Sequence, residues 1–246
     1  MTIGEGMPKI CVPVMGNTLD EVLAHTQCAV KASPDFLEWR ADSCSNILTK
    51  GTAGEMLGEI RKTAGTLPLL FTFRSAAEGG RKAVTPEEYE RLLEEAASSH
   101  MAELVDVEAL RKGIHARKIT EQLHAEGCAV IASHHCFDGT PEKEQLREIL
   151  EQLEESGADI LKLAVMPNTR KDVVRLIDIT QEMITGSSCP VITMSMGALG
   201  AVTRISGEIF GSCVTYASAG ETSAPGQLPA GEVRMIQEIL HGCASE

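Results

Sequence analysis

Eight short apolar runs punctuate this chain from end to end, and the residues between them change period from two to about 3.6. The runs are Ile10–Val14, Phe36–Arg40, Leu69–Arg74, Leu104–Glu108, Ala129–His135, Ile160–Val165, Val191–Met196 and Val214–Ala217. The clearest helical stretches are Leu19–Lys31, Pro86–Ser99, Pro141–Ser156 and Lys171–Thr185, with a last one over Gly231–Leu240. Thr85 and Thr140 each precede a proline and acidic residues, which supplies an N-cap, a preset φ and charges suited to the helix dipole. Asn168-Thr169 before Arg170 is a weaker start of the same type, and Gly65, Gly127 and Gly157 fall where a helix should stop. Strand and helix in strict alternation form a parallel sheet. Eight such units in 246 residues predict an α/β fold, a single (β/α)8 TIM barrel with 1–246 as one domain. A doubly wound open sheet lacks support, because no GxGxxG follows the first strand.

Charge narrows the partners. Lys and Arg number 22 against 35 Asp and Glu, a formal net charge of −13. Phosphate backbones and anionic lipid repel such a chain, so neither nucleic acid nor a membrane is an expected partner. An anionic ligand would have to be drawn by a few Arg or Lys gathered in one pocket. No apolar run reaches the roughly 20 residues that span a bilayer. The start, MTIGEGMPKICVPVMG, lacks a signal-peptide pattern, and the expected location is the cytoplasm. The eight cysteines are scattered, without CxxC pairs or Cys/His runs at zinc spacing. Reduced core thiols and no metal are expected.

Alternate residues of a barrel strand point inward, and active sites lie at the strands' carboxyl ends. In strand two, Leu37 and Trp39 suit the helix-facing side, which turns Glu38 and Arg40 inward. Strand three turns Thr72 and Arg74 inward, and strand four Asp106 and Glu108. Strand five places Ile131, Ser133 and His135 on one parity, and strand six leaves Lys162 as the inward charge. A single buried charge is most simply an ion pair. Five neighbouring strands aiming ionisable groups at one axis point to chemistry. A lysine among apolar neighbours and near arginines should lose its proton easily and serve as a Schiff-base nucleophile. A histidine can move protons, and arginines can clamp a carboxylate.

The motifs carrying these residues resemble the type I 3-dehydroquinate dehydratases, over nearly the full length. They are LEWRAD at 37–42, FTFRSAAEGG at 71–80, DVE at 106–108, SHHCFDGTP at 133–141, GADILKLAVMP at 157–167, TMSMGALGAVTR at 193–204 and SAPGQ at 223–227. The resemblance implies dehydration of 3-dehydroquinate to 3-dehydroshikimate through an imine on Lys162, the third step of the shikimate pathway to chorismate and aromatic amino acids. His135 would be the general acid/base, and Glu78 the carboxylate that orients it with Asp106. Glu38, Trp39, Arg40 and Arg74 would bind substrate, Arg204 would anchor its carboxylate, and Ser223 and Gln227 would close over it. Asp106, Met194 and Met196 are further candidates for the pocket lining. The resemblance implies no cofactor, a small-molecule substrate and a homodimer. Two features depart from the family pattern. Cys136 stands where an Asp usually follows the catalytic histidine, and the amino terminus has room for only a stub of the usual floor hairpin. Parity turns His134 toward the helices, as a structural residue. Two other readings remain: a class I Schiff-base aldolase on the same barrel, with Gly197-Ala198-Leu199-Gly200 as a phosphate cradle, and a non-catalytic anion-binding barrel. Borohydride trapping with 3-dehydroquinate separates the three.

Overall fold

The computed structural model describes residues 2–220, 224 and 226–244. Its strands are β1 (Lys9–Val14), β2 (Phe36–Arg40), β3 (Leu69–Thr72), β4 (Leu104–Glu108), β5 (Ala129–Cys136), β6 (Ile160–Val165), β7 (Val191–Ser195) and β8 (Val214–Tyr216). Every ladder between them is parallel, and the sheet order runs β7-β6-β5-β4-β3-β2-β1-β8. Pairing of β1 with β8 (Lys9 with Val214) nearly closes the sheet into a (β/α)8 barrel. Between β7 and β8 the described residues share an isolated bridge, Val191 with Ser212. There the Ser212 hydroxyl accepts from the Thr193 N–H (3.0 Å) and donates to the Thr193 carbonyl (3.1 Å), so a side chain stands in for a ladder partner.

The helices are α1 (Leu19–Lys31), α2 (Thr52–Ala64), α3 (Pro86–Ser98), α4 (Ala116–Ala125), α5 (Lys143–Glu155), α6 (Arg170–Gly186), α7 (Ala201–Ile205), α8 (Gly207–Phe210) and α9 (Ala230–Ala244). Thr85 caps α3 with Glu88 in a reciprocal capping box and Pro86 in the first turn, as its sequence predicts. Gly65, Gly127 and Gly157 all adopt positive φ at or just past helix ends. The start of α5 differs. Glu142 is its N-cap, paired with Gln145, while the Thr140 hydroxyl donates instead to the Met166 carbonyl at 3.1 Å. Thr140 thus ties the end of β5 to the end of β6. The ring α9 is longer than the 231–240 stretch expected of it. No described helix is long and apolar enough to cross a membrane.

Two apolar layers follow from strand parity. Leu37, Trp39, Phe71, Val105, Val107 and Leu163 pack outward against helix residues such as Leu57, Leu92 and Leu150. Phe36, Leu70, Leu104, Ile131, Ile160 and Ile192 fill the barrel interior toward its amino-terminal end. The inward polar residues occupy the other end. The thiols are all free; Cys11, Cys44 and Cys128 are buried, whereas Cys28 and Cys243 are exposed and do not serve as core residues.

Candidate active site

Lys162 sits mid-strand on β6 with its side chain only 4% exposed, directed into the barrel. Its Nζ lies 3.3 Å from Asp106 Oδ2, 3.6 Å from Glu38 Oε1 and 4.2 Å above the Tyr216 ring. The surroundings are therefore not the apolar ones the sequence suggested: two carboxylates and an aromatic face meet the ammonium. Glu38 is itself held by the Thr72 hydroxyl at 2.9 Å.

On the cavity wall Arg74 gathers the negative charges. Its Nη2 donates to Asp106 Oδ1 (2.7 Å), and its Nη1 reaches Ser133 Oγ (3.0 Å), Glu108 Oε1 (3.2 Å) and Glu78 Oε2 (3.4 Å). Burial alone would raise the Asp106 carboxyl, but Arg74 and Lys162 hold it below the usual carboxylate range. Glu108 is pushed up by burial despite Arg74, and accepts from Ser75 N–H at 2.7 Å. Arg74 is thus engaged by the protein's own carboxylates. Arg40 forms a two-point contact with Asp42, at 2.8 and 3.1 Å.

Glu78 comes from the turn after β3, and the two glycines that follow it explain its position. A Cβ on Gly80 would lie 1.8 Å from the Arg74 carbonyl oxygen, and one on Gly79 would lie 2.3 Å from the Phe137 ring. Gly79 also has φ +81. The turn can press against both only because neither residue carries a side chain. Its reward is a carboxylate between two imidazoles: His135 Nδ1 donates to Glu78 Oε2 (2.9 Å) and His134 Nδ1 to Oε1 (3.0 Å). Burial raises the Glu78 carboxyl, but these two hydrogen bonds and Arg74 more than offset it and bring it down to about 2. An ionised carboxylate only accepts, so both Nδ1 atoms carry protons, and in the neutral ring His135 Nε2 is the nitrogen with a lone pair. Burial, then Arg74 and Lys162, push His135 down to about 3, which keeps it neutral at ordinary pH.

A cavity of about 150 Å³ opens at this end of the barrel, lined by Glu38, Arg40, Arg74, Glu78, His135, Lys162, Met194, Met196, Arg204, Tyr216 and Gln227 among others. Most of the residues the sequence singled out therefore meet. Arg204 arrives on α7, buried, with its Nη1 3.3 Å from the Tyr216 carbonyl, and burial lowers its guanidinium to about 10. Gln227 follows Gly226, whose φ of +79 brings it so near Gly197 that a Cβ would sit 2.4 Å from that carbonyl oxygen. Ser223 lies outside the described residues.

Three expectations change. Trp39 is fully buried on the helix side, edge-on to Phe71 at 5.6 Å, because odd positions of β2 face outward; it does not line the cavity. Asp106 lies beneath the cavity and not in its wall. His134 does sit on the outward parity, but it is not remote from the site: β5 runs far enough for Glu78 to bridge both histidines. Two wall residues went unnoticed in the sequence. Tyr216, with Val214, is an inward residue of β8 and was open to the same parity argument, while Phe137, whose ring stacks 6.3 Å from His135, follows the strand and gives no periodic signal.

The family model for type I 3-dehydroquinase matches residues 10–243. A 3-dehydroquinate dehydratase of Listeria monocytogenes is 39% identical over 241 residues, covering 98% of this chain and 96% of its own. A crystal structure of 3-dehydroquinate dehydratase from Geobacillus kaustophilus superposes with a TM-score of 0.94 at 39% identity, over 98% of this chain and 93% of that one. A type I 3-dehydroquinate dehydratase from Clostridium difficile, solved with covalently modified comenic acid, superposes with the same TM-score at 38% identity, covering 99% and 96%.

Proposed function

This chain belongs to the type I 3-dehydroquinase family and is a hydro-lyase, and from that premise we propose that it dehydrates 3-dehydroquinate through an imine on Lys162. The observation that carries the reading is the meeting in one cavity of a buried lysine and a neutral histidine whose free nitrogen remains for substrate.

The steps follow from the chemistry of these groups. Lys162 Nζ adds to the substrate ketone, and loss of water gives the imine. The imine withdraws electrons, so the proton on the neighbouring C2 becomes acidic enough for an imidazole. His135 Nε2 takes that proton, while Glu78 stabilises the imidazolium through Nδ1. The same nitrogen returns the proton to the departing C1 hydroxyl, which leaves as water. Hydrolysis of the imine then releases 3-dehydroshikimate and restores the lysine, with His135 moving protons in both imine steps. Arg204 binds the substrate carboxylate, with Arg40, Glu38, Gln227 and the two methionines shaping the cavity around the ring. Within this proposal the reaction is the third step of the shikimate pathway, carried out by a cytoplasmic homodimer.

Borohydride reduction in the presence of 3-dehydroquinate, read by intact-protein mass, tests the reading. The wild type should gain one substrate adduct on Lys162, and Lys162→Ala should gain none and be inactive. His135→Ala should still form the adduct and accumulate it, with activity lower by at least the 10²–10⁴-fold typical of general acid–base catalysis. A wild type that is active yet never trapped, or an adduct on Lys162→Ala, refutes the imine.

A further inference from the structure

The Glu78 carboxylate has three partners among the described residues: His135 at 2.9 Å, His134 at 3.0 Å and Arg74 at 3.4 Å. Arg74 contributes least to its orientation, since the same Nη1 also serves Glu108 and Ser133. The two imidazoles take one oxygen each, which fixes both the position and the plane of the carboxylate. His134 differs from its neighbour in surroundings. Its side chain is 26% exposed against 11% for His135, and it lines only the outer cavity beyond the barrel mouth, whereas His135 lines both that one and the cavity of Lys162. A histidine serving only to fill that place would not need a charged acceptor shared with the site's base.

We propose that His134 is a positioning residue for His135: it holds the Glu78 carboxylate by the second oxygen and shares its negative charge. The proposal rests on His135 being the acid/base of the reaction. The groups facing His134 are Glu78 from the turn after β3, Cys136 on the same face of β5, and Asp138 at the rim of the outer cavity; Gln145 of α5 is neutral. Those facing His135 are Glu78, Arg74, Lys162 and Asp106. Cys136 and Glu78 raise His134 to about 10, so at neutral pH it is a cation that offsets part of the Glu78 charge. Less of that charge then reaches His135, which makes His135 a weaker base and keeps it unprotonated to lower pH. Without His134 the full carboxylate would face His135 alone, and proton uptake by His135 would shift upward.

The test compares His134→Phe and His134→Gln with wild type by kcat, KM, the pH dependence of kcat/KM from pH 2.5 to 8 read in brief initial-rate assays, and thermal midpoint. In the Phe variant kcat should fall about tenfold with KM within about twofold, and the acid limb of kcat/KM should move up by about one pH unit. The Gln variant keeps an N–H donor but no charge. It should recover kcat to within about threefold while its acid limb still moves up. Profiles for both variants that superimpose on wild type overturn the proposal, whatever their thermal midpoints. If the Phe variant does not fold, the Gln profile decides alone. Failure of the underlying reading looks different: His135→Ala would then turn over normally, whereas failure of this proposal leaves His135→Ala inactive.

Discussion

Arg204 and Arg74 carry the same charge in the same cavity but do different work. Arg74 answers to Asp106, Glu108 and Glu78, so its charge is balanced within the protein. Arg204 stands on the cavity wall, with its Nη1 3.3 Å from the Tyr216 carbonyl, and in the proposed reaction it is the residue that binds the substrate carboxylate. Arg204→Ala should therefore raise KM by two to three orders of magnitude, the equivalent of a few kcal/mol of charge-assisted hydrogen bonding, with a smaller effect on kcat. Steady-state kinetics check this, and an unchanged KM would place the carboxylate elsewhere. These inward charges were legible in the sequence because alternation on a strand tells which way each Cβ points. The same argument could say nothing of Glu78, which lies on a turn and was reached only through the family resemblance. Nor could it connect His134 to the site, since parity reports a direction and not what folds over it.

At the scale of elements, the AEGG turn shows how tightly one local conformation governs the chemistry. Gly80→Ala would drive a methyl into the Arg74 carbonyl, and the turn would have to lift, taking Glu78 away from both imidazoles. Activity should fall by at least tenfold with a lowered melting temperature, and Gly58→Ala, where added bulk meets open space on α2, should leave activity unchanged. Equal losses in both variants would show that the turn is not special. The strands match their sequence expectation to within two residues, because buried parallel strands are near-continuous apolar runs. The helices were less uniform. α2 carries Gly54 and Gly58 and begins after a glycine with no capping side chain, and α4 is short and follows His115, which makes no cap hydrogen bond. Such helices owe their form to packing against the sheet more than to their own residues.

Across the whole molecule the charged centre sets the response to pH. His135 is held at about 3 against 6.5 in an unfolded chain, so between those values the unfolded state takes up a proton that the folded state refuses. Glu78, lowered from 4.5 to about 2, acts in the same direction: its stabilisation is present above 4.5 and is lost as pH falls through about 2. His134 has the opposite sign, stabilising below 6.5 and ceasing to do so as pH rises through about 10. Calorimetry should find the melting temperature falling by several degrees from pH 7 to pH 4, and a His135→Asn variant should fall less; equal slopes would contradict the assignment. A second prediction concerns the place where β7 and β8 meet. Ser212→Ala strands the Thr193 N–H and carbonyl, which should cost about 1–3 kcal/mol in chemical denaturation, and no loss would mean the backbone closes without it. The barrel is in this respect a split ring, held at its gap by the Ser212 hydroxyl and by the backbone bond from the Cys213 N–H to the Val191 carbonyl at 2.9 Å. A closed hoop resists widening equally all round, but a split one yields at the cut, and the cut here runs between the strand of Met194 and the strand of Tyr216. The wall on that side is therefore held by an isolated bridge where every other neighbouring pair of strands has a ladder, while Lys162 on β6 and His135 on β5, although β6 stands only one strand from the cut, are kept in register by the continuous ladder between their own strands.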